Sequence, residues 1–335
     1  MAWYRDAEAE LVHVAAAIQS QRNIQLDRLE RLANSLVASL ERSDELVVMA
    51  LSSPAGSPLM TNLLNVAVVA TKVGMGLGYY GRELERLALA GLVHDIGLFA
   101  VPQSLVTKAG RLTPDERTLI EQHPELGYEA VKRTGNEYVW LAELIRQAHE
   151  RINGLGYPAR LKGRQISEMA LIIGVSDVFD ALISDRPYRR RLFPHEAIKE
   201  LLVAERATFP REIIKALVEQ LSMYPLGTTV RLSTGETGTV VGVNVRYPLR
   251  PIVKVEEMDG SDNPESRRVD LSLTPLVGVI EALNAPVVGR VAFAEESAAP
   301  AAPVGGASDQ FTALLESLDA IATAIQGVVE NRLQP

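Results

Sequence analysis

Apolar residues recur at helical spacing over the first two thirds of the chain. Between residues 8 and 50 they fall at Leu11, Ala15 and Ile18, then at Leu26, Leu29, Ala33, Leu36 and Leu40, with charges between them. That period predicts helix with one apolar stripe. The stripe has two readings, packing on its own domain or a dimerisation face that would make a homodimer. Ser52-Ser-Pro-Ala-Gly-Ser-Pro58 is a loop by composition. Beyond it the same periodicity predicts helices over 59–77, 83–94, 114–133, 137–150, 167–184, 195–204 and 211–223. Thr113-Pro-Asp-Glu116 reads as a helix start, with a hydroxyl cap, an early proline and an acid at the third helical position. After Tyr224 the pattern changes to alternation, over 227–232, 237–243, 252–255 and 268–271, with Ser233-Thr-Gly-Glu236 as a turn.

The fold expected is therefore mainly α: an all-helical domain, a small β-module and a C-terminal amphipathic helix. The divisions fall at 1–50, 51–223, 224–280, a flexible linker over 281–308 and the last helix over 309–335. The linker is marked by Ala, Pro, Gly and Ser. The last helix sets Phe311, Leu314, Leu315, Leu318, Ile321, Ala322, Ile325, Val328 and Val329 on one face. That face is expected to dock on a signalling partner or on a second copy of the chain. No internal repeat is evident.

Composition narrows the function. A net charge of −8 over 335 residues argues against a general nucleic-acid binder. The absence of cysteine excludes disulfides, iron–sulfur clusters and thiolate zinc sites. The start of the chain lacks a basic segment followed by an apolar core, and no run of about 20 apolar residues occurs, so neither a signal peptide nor a membrane span is expected. A cytoplasmic protein is the expectation.

The most informative chemistry is His94-Asp95, closing the apolar run Ala88-Leu-Ala-Gly-Leu-Val. An imidazole offers one nitrogen to a divalent metal, and a carboxylate offers two oxygens, enough to bridge two. Two metals roughly 3.5–4 Å apart are a standard way to cleave a phosphodiester. Further ligand types lie in Ile120-Glu-Gln-His123-Pro-Glu-Leu-Gly127, in Ala148-His149-Glu-Arg-Ile-Asn153-Gly154-Leu-Gly156-Tyr157-Pro158, and at Asp177 in Val175-Ser-Asp177-Val-Phe-Asp180. Gly154, Gly156, Tyr157 and Pro158 make a loop with backbone freedom and a ring able to stack on guanine. Arg186 and Arg189 offer guanidinium groups to phosphate or to structural carboxylates. His13 and His195 have no such context and read as surface or packing residues.

In these motifs, His-Asp-Ile-Gly, Gly-Tyr-Pro and Asp-Ala-Leu followed by Asp185-Arg-Pro-Tyr-Arg189, the chain resembles the HD-GYP family, a branch of the HD phosphohydrolase superfamily, over roughly residues 24–223. The resemblance implies an all-helical HD-type fold, a site for two or three metals (often iron or manganese) and hydrolysis of cyclic di-GMP. It also implies that the β-module is an extension found in some members. By position, His94, Asp95, His123, His149 and Asp177 match metal ligands, with Asp95 bridging, and Lys108 matches a basic residue near the ligand. Four positions depart. Asn62 stands where the family has a histidine, Leu98 where it has a lysine, Ala148 where it has the first of two paired histidines, and Asn153 where it has an aspartate. Asn62 still offers a carbonyl oxygen, a poorer ligand than imidazole for iron or manganese. Ala148 offers none. Leu98 removes a cation near the phosphate, a loss typically worth about 10²–10³ in rate.

Two expectations follow for the metals. One ion on His94, Asp95 and Asp177 with help from Asn62 is the stronger; a second on Asp95, His123 and His149 is the weaker; a site with no metal is the bland alternative. Two also follow for function. The chain is either a member with weak or lost hydrolysis that binds nucleotide or docks a partner through Gly-Tyr-Pro or its terminal helices, or an active phosphodiesterase opening cyclic di-GMP to linear pGpG, GMP or both. In the second, His94, Asp95 and His149 are catalytic, with His149 assisting proton transfer. The first is preferred because of Leu98, Ala148 and Asn62.

Overall fold

Three helices fill the first fifty residues: α1 (Ala2–Gln19), α2 (Leu26–Leu40) and α3 (Glu45–Leu51). The computed structural model describes residues 2–51, 57–108, 110–184, 191–205, 207–221, 224, 227–242, 244, 250–256 and 266–283. The chain leaves α1 through Gln21, whose φ of 54° is left-handed, so one stripe becomes two packed helices. Leu11, Ala15, Ile18, Leu26, Leu29, Ala33, Leu36 and Leu40 are all buried in the chain's own core. The apolar positions of this stripe are thus covered within one chain, as the first of its two readings expects.

α4 (Pro58–Gly76) is the axis of the domain, contacted by α1, α3, α5 (Gly81–Val93), α10 (Glu168–Ile183) and α12 (Arg211–Gln220). By length and composition it could cross a membrane, but most of it is buried inside the protein, which marks a core helix. α5 closes on it because Gly91 has no side chain; a Cβ there would lie 2.7 Å from Ala67 Cα. A 3-10 turn (Ile96–Ala100) and the short α6 (Gln103–Val106) follow.

The helix expected over 114–133 divides into α7 (Pro114–Ile120) and α8 (His123–Lys132). Pro124 explains the break. It has no N–H to continue a preceding helix but fits the first turn of a new one. The helix expected over 137–150 is a 3-10 turn (Asn136–Tyr138) and then α9 (Val139–Arg146), which leaves His149 beyond the helix end. α11 (Pro194–Ala204) lies between α10 and α12.

The β-module is one antiparallel sheet in the order β4-β3-β2-β1-β5, built from β1 (Thr229–Leu232), β2 (Thr237–Gly242), β3 (Ile252–Glu256), β4 (Ser266–Asp270) and β5 (Val279–Ala282). Val230 and Leu232, Val240, and Val253 and Val255 turn to its buried side, as their alternation predicts. The strand absent from the sequence reading is β5, a four-residue edge strand without polar–apolar alternation. The linker and amphipathic helix expected after residue 283 lie outside the described residues, as do Arg186 and Arg189.

Candidate metal centre

The ligand-type residues come from the ends of elements. His94 is the C-cap of α5, and Asp95 is the N-cap of the 3-10 turn after it. His123 opens α8, and His149 follows α9. Gly97 lets the first pair meet His123: a Cβ there would overlap the His123 carbonyl oxygen and lie 2.7 Å from Gly127 N. Any side chain at 97 would push α8 away from Asp95.

Asp95, His123 and His149 are buried and bring one ligand atom each to a common point. Asp95 Oδ1 is 2.8 Å from His149 Nε2 and 3.1 Å from His123 Nε2, and the two Nε2 atoms are 2.9 Å apart. The tautomers follow from the backbone. His123 Nδ1–H donates to Ile120 O at 2.8 Å and His94 Nδ1–H to Gly91 O at 2.9 Å, so in the neutral rings both Nε2 atoms are lone pairs. His94 Nε2 is fully buried with no hydrogen-bond partner among the described residues, 3.6 Å from Asp95 Oδ1 and 3.9 Å from Asp177 Oδ1. A buried acceptor without a donor costs about 1–3 kcal/mol, and a cation beside it removes that cost. Nitrogen and carboxylate donors about 3 Å apart are also spaced as neighbours around one ion. The residues present therefore fit a divalent metal.

Electrostatics agree for Asp95 and His149 and oppose for His123. Burial would raise the Asp95 carboxyl, but His94, His149 and His123 around it hold it well below the usual carboxylate range. Burial, helped by repulsion from His123, lowers His149 against the pull of Asp95. His123 is raised, because Asp95 outweighs its burial. An ionised carboxylate and a neutral imidazole are the forms that bind metal. Asp95 and His149 are shifted toward those forms, whereas His123 is shifted toward its protonated form, so a metal there competes with a proton.

The geometry bears on three expectations. Asn62 faces the site with its amide nitrogen, donating to Asp177 Oδ1 at 3.1 Å and to Asp180 Oδ2 at 2.8 Å, so the carbonyl oxygen proposed as a ligand is turned from these carboxylates. The compact donor group is Asp95, His123 and His149 rather than His94, Asp95 and Asp177. The proton-transfer role for His149 also meets an obstacle, since its Nε2 belongs to that donor group and one lone pair cannot both bind a cation and take a proton.

The Gly-Tyr-Pro loop covers the cluster. The Tyr157 ring stacks on His149, with centroids 4.9 Å apart and planes at 5°, and meets His123 edge-on. Burial, with Asp95 and Asp177 nearby, pushes the Tyr157 phenol far up and keeps it protonated. Gly156 allows the loop to pass, since a Cβ there would overlap His149 O and lie 2.5 Å from Arg151 N. Gly154 takes a φ of 77°, and Asn153 Oδ1 caps the turn by accepting from Leu155 N at 3.0 Å. Pro158 ends the loop through a cis peptide bond with Tyr157. Lys108 is held by both Glu116 oxygens, at 2.7 and 2.6 Å, rather than presented freely to a ligand. Ala148 is buried, with its carbonyl accepting from Arg151, and Leu98 is half-buried.

Sequence reasoning missed Glu150 and Asp180. The buried Glu150 accepts from Ala159 N at 2.7 Å and Leu161 N at 2.8 Å and so pins the loop. Asp180 and Asn65 lie one turn beyond Asp177 and Asn62 on facing helices, a signal that i,i+3 spacing carries.

Comparison with known proteins accords with this geometry. The HD domain family model matches residues 27–212, more than half of the chain. A model described as a KOW domain associated with HD domain matches residues 229–287. A cyclic di-GMP phosphodiesterase of Pseudomonas aeruginosa is 36% identical over 203 residues, 58% of this chain and 47% of that protein. The cyclic di-GMP phosphodiesterase response regulator RpfG of Xanthomonas campestris is 36% identical over 151 residues, 45% of this chain and 40% of its own. A 3'3'-cGAMP-specific phosphodiesterase of Vibrio cholerae is 30% identical over 193 residues, 56% of this chain and 36% of its own. The chain thus spans about half or less of the length of these relatives. In fold it is similar to a solved HDG"Y"P protein of Bdellovibrio bacteriovorus, with a TM-score of 0.53 at 19% identity over 64% of this chain and 69% of the other. The chain belongs to the HD domain family.

Proposed function

We propose that this chain binds cyclic di-GMP at a divalent-metal site, iron or manganese, and hydrolyses it far more slowly than a member with the full ligand set. The observation that carries this is the convergence of Asp95 Oδ1, His123 Nε2 and His149 Nε2 beside the partnerless His94 Nε2. With the His94 and His123 Nδ1 protons given to backbone carbonyls, a cation satisfies these groups together. When bound, the metal supplies Lewis acidity and an activated water. The chain's own residues orient and enclose: Tyr157 and the Gly-Tyr-Pro backbone wall the cluster, and the loop offers an aromatic face near which a purine can stack. The slow turnover is assigned to Ala148, Asn62 and Leu98, which remove two imidazoles and one cation.

A partner-docking role is favoured by one further observation. Leu155, at the tip of the loop, is 83% exposed, an apolar side chain held out beside the site.

The test is turnover of cyclic di-GMP by full-length protein purified without oxygen and loaded with Mn²⁺. The expected result is nucleotide binding with slow formation of linear product, abolished by His94→Ala. Restoring Leu98→Lys and Ala148→His together should raise turnover by about 10² or more. Unchanged turnover in that double variant contradicts the account of the defect, and fast turnover by the wild type makes the chain a fully active phosphodiesterase.

A further inference from the structure

Asp177 and Asp180 face Asn62 from one side of α10, three residues apart. Two carboxylates this close to one another need positive charge or hydrogen-bond donors between them. Here the donors come from an amide. One Asn62 N–H goes to Asp177 Oδ1 at 3.1 Å and the other to Asp180 Oδ2 at 2.8 Å. The orientation is fixed from behind. Tyr4 OH donates to Asn65 Oδ1 at 2.9 Å, and Asn65 Nδ2 donates to Asp180 Oδ1 at 2.8 Å. The Tyr4 hydroxyl orients the Asn65 amide, both amides then donate to carboxylates, and turning the Asn62 amide over would set its carbonyl oxygen against two carboxylates. Asn65 and Asp180 are buried, so water does not replace these bonds. The Asp177 oxygen that accepts from Asn62 is also the one 3.9 Å from the partnerless His94 Nε2. The Asp177 oxygen nearest His94 thus already accepts from a neutral donor.

We propose that this site holds a single ion, on Asp95, His123 and His149 with His94 beside them, and that the Asn62 amide stands in place of a second cation between Asp177 and Asp180. The proposal rests on the metal-site reading above and goes beyond it in fixing the ion count and the residue that sets it. Asn62 is in this sense a positioning residue. It neutralises the pair by hydrogen bonding and leaves the carboxylates no need of a metal. Converting it to a third carboxylate reverses that balance: three clustered carboxylates favour a bound cation or a shared proton, and a divalent ion at saturating concentration displaces the proton.

The experiment is equilibrium dialysis of the metal-free, full-length chain against Mn²⁺ under anaerobic conditions, with metal per chain counted by elemental analysis. The wild type is expected to bind one ion and Asn62→Asp two. Asp177→Asn is expected to keep one ion, and it decides the matter if Asn62→Asp fails to fold. Two ions in the wild type overturn the single-ion proposal and leave the metal-site reading standing. No ion in the wild type overturns that reading itself. One ion in a folded Asn62→Asp overturns the role given to the amide, and loss of the ion in Asp177→Asn overturns the ligand set.

Discussion

Gly97 offers no ligand, yet the metal centre depends on it. A methyl group there would overlap the His123 carbonyl oxygen, which belongs to the first residue of α8, so relieving the overlap displaces that helix. Gly97→Ala is expected to cost about 1–3 kcal/mol by overpacking. It should also weaken Mn²⁺ binding at least about tenfold (about 1.4 kcal/mol) by separating Asp95 from His123; denaturant unfolding and Mn²⁺ titration of one preparation read both. Of the centre itself, His94, Asp95, His123 and His149 were legible from their types and local motifs. Their tautomers were not, because these depend on the Gly91 and Ile120 carbonyls, which only helix ends bring into reach. Nor was the direction of the Asn62 amide, which is set by Asp180 and Asn65 across two helices.

At the scale of elements, the loop over the site is held by one buried side chain. Glu150→Ala strands the Ala159 and Leu161 amides, at about 1–3 kcal/mol for each unsatisfied group. It should lower the unfolding midpoint and speed proteolysis within 151–162; an unchanged cleavage pattern would show that Glu150 does not hold the loop. The capping box of α7, with Thr113 and Glu116 bonded reciprocally, predicts a smaller loss: Thr113→Ala should cost about 1 kcal/mol in chemical denaturation. Helices with strong stripes were legible almost to their ends. The breaks at Gln21 and Pro124 were less so, since apolar periodicity runs through both and only backbone geometry interrupts it. β5 was illegible for a different reason: an edge strand of four residues buries too little to impose a pattern.

Over the whole molecule, the N-terminal helices belong to the same core as the site. Leu29 and Leu36 are fully buried against it, so Leu36→Ala should cost about 2–5 kcal/mol without changing the state of association, which analytical ultracentrifugation measures. A shift from dimer to monomer in that variant would return the stripe to an interface role. The apolar periodicity of the sequence carried the helical class and the sheet, but could not say which copy of the chain a stripe packs on. The buried groups around Asp95 are reconciled by a cation, and the site reading and the ion count both depend on this claim. Its most direct test is the iron or manganese retained by the full chain after anaerobic purification and desalting, compared with His123→Ala treated identically. Metal retained by the wild type and lost by the variant is the result predicted here. A wild type free of metal, or a variant that keeps it equally well, would contradict the claim.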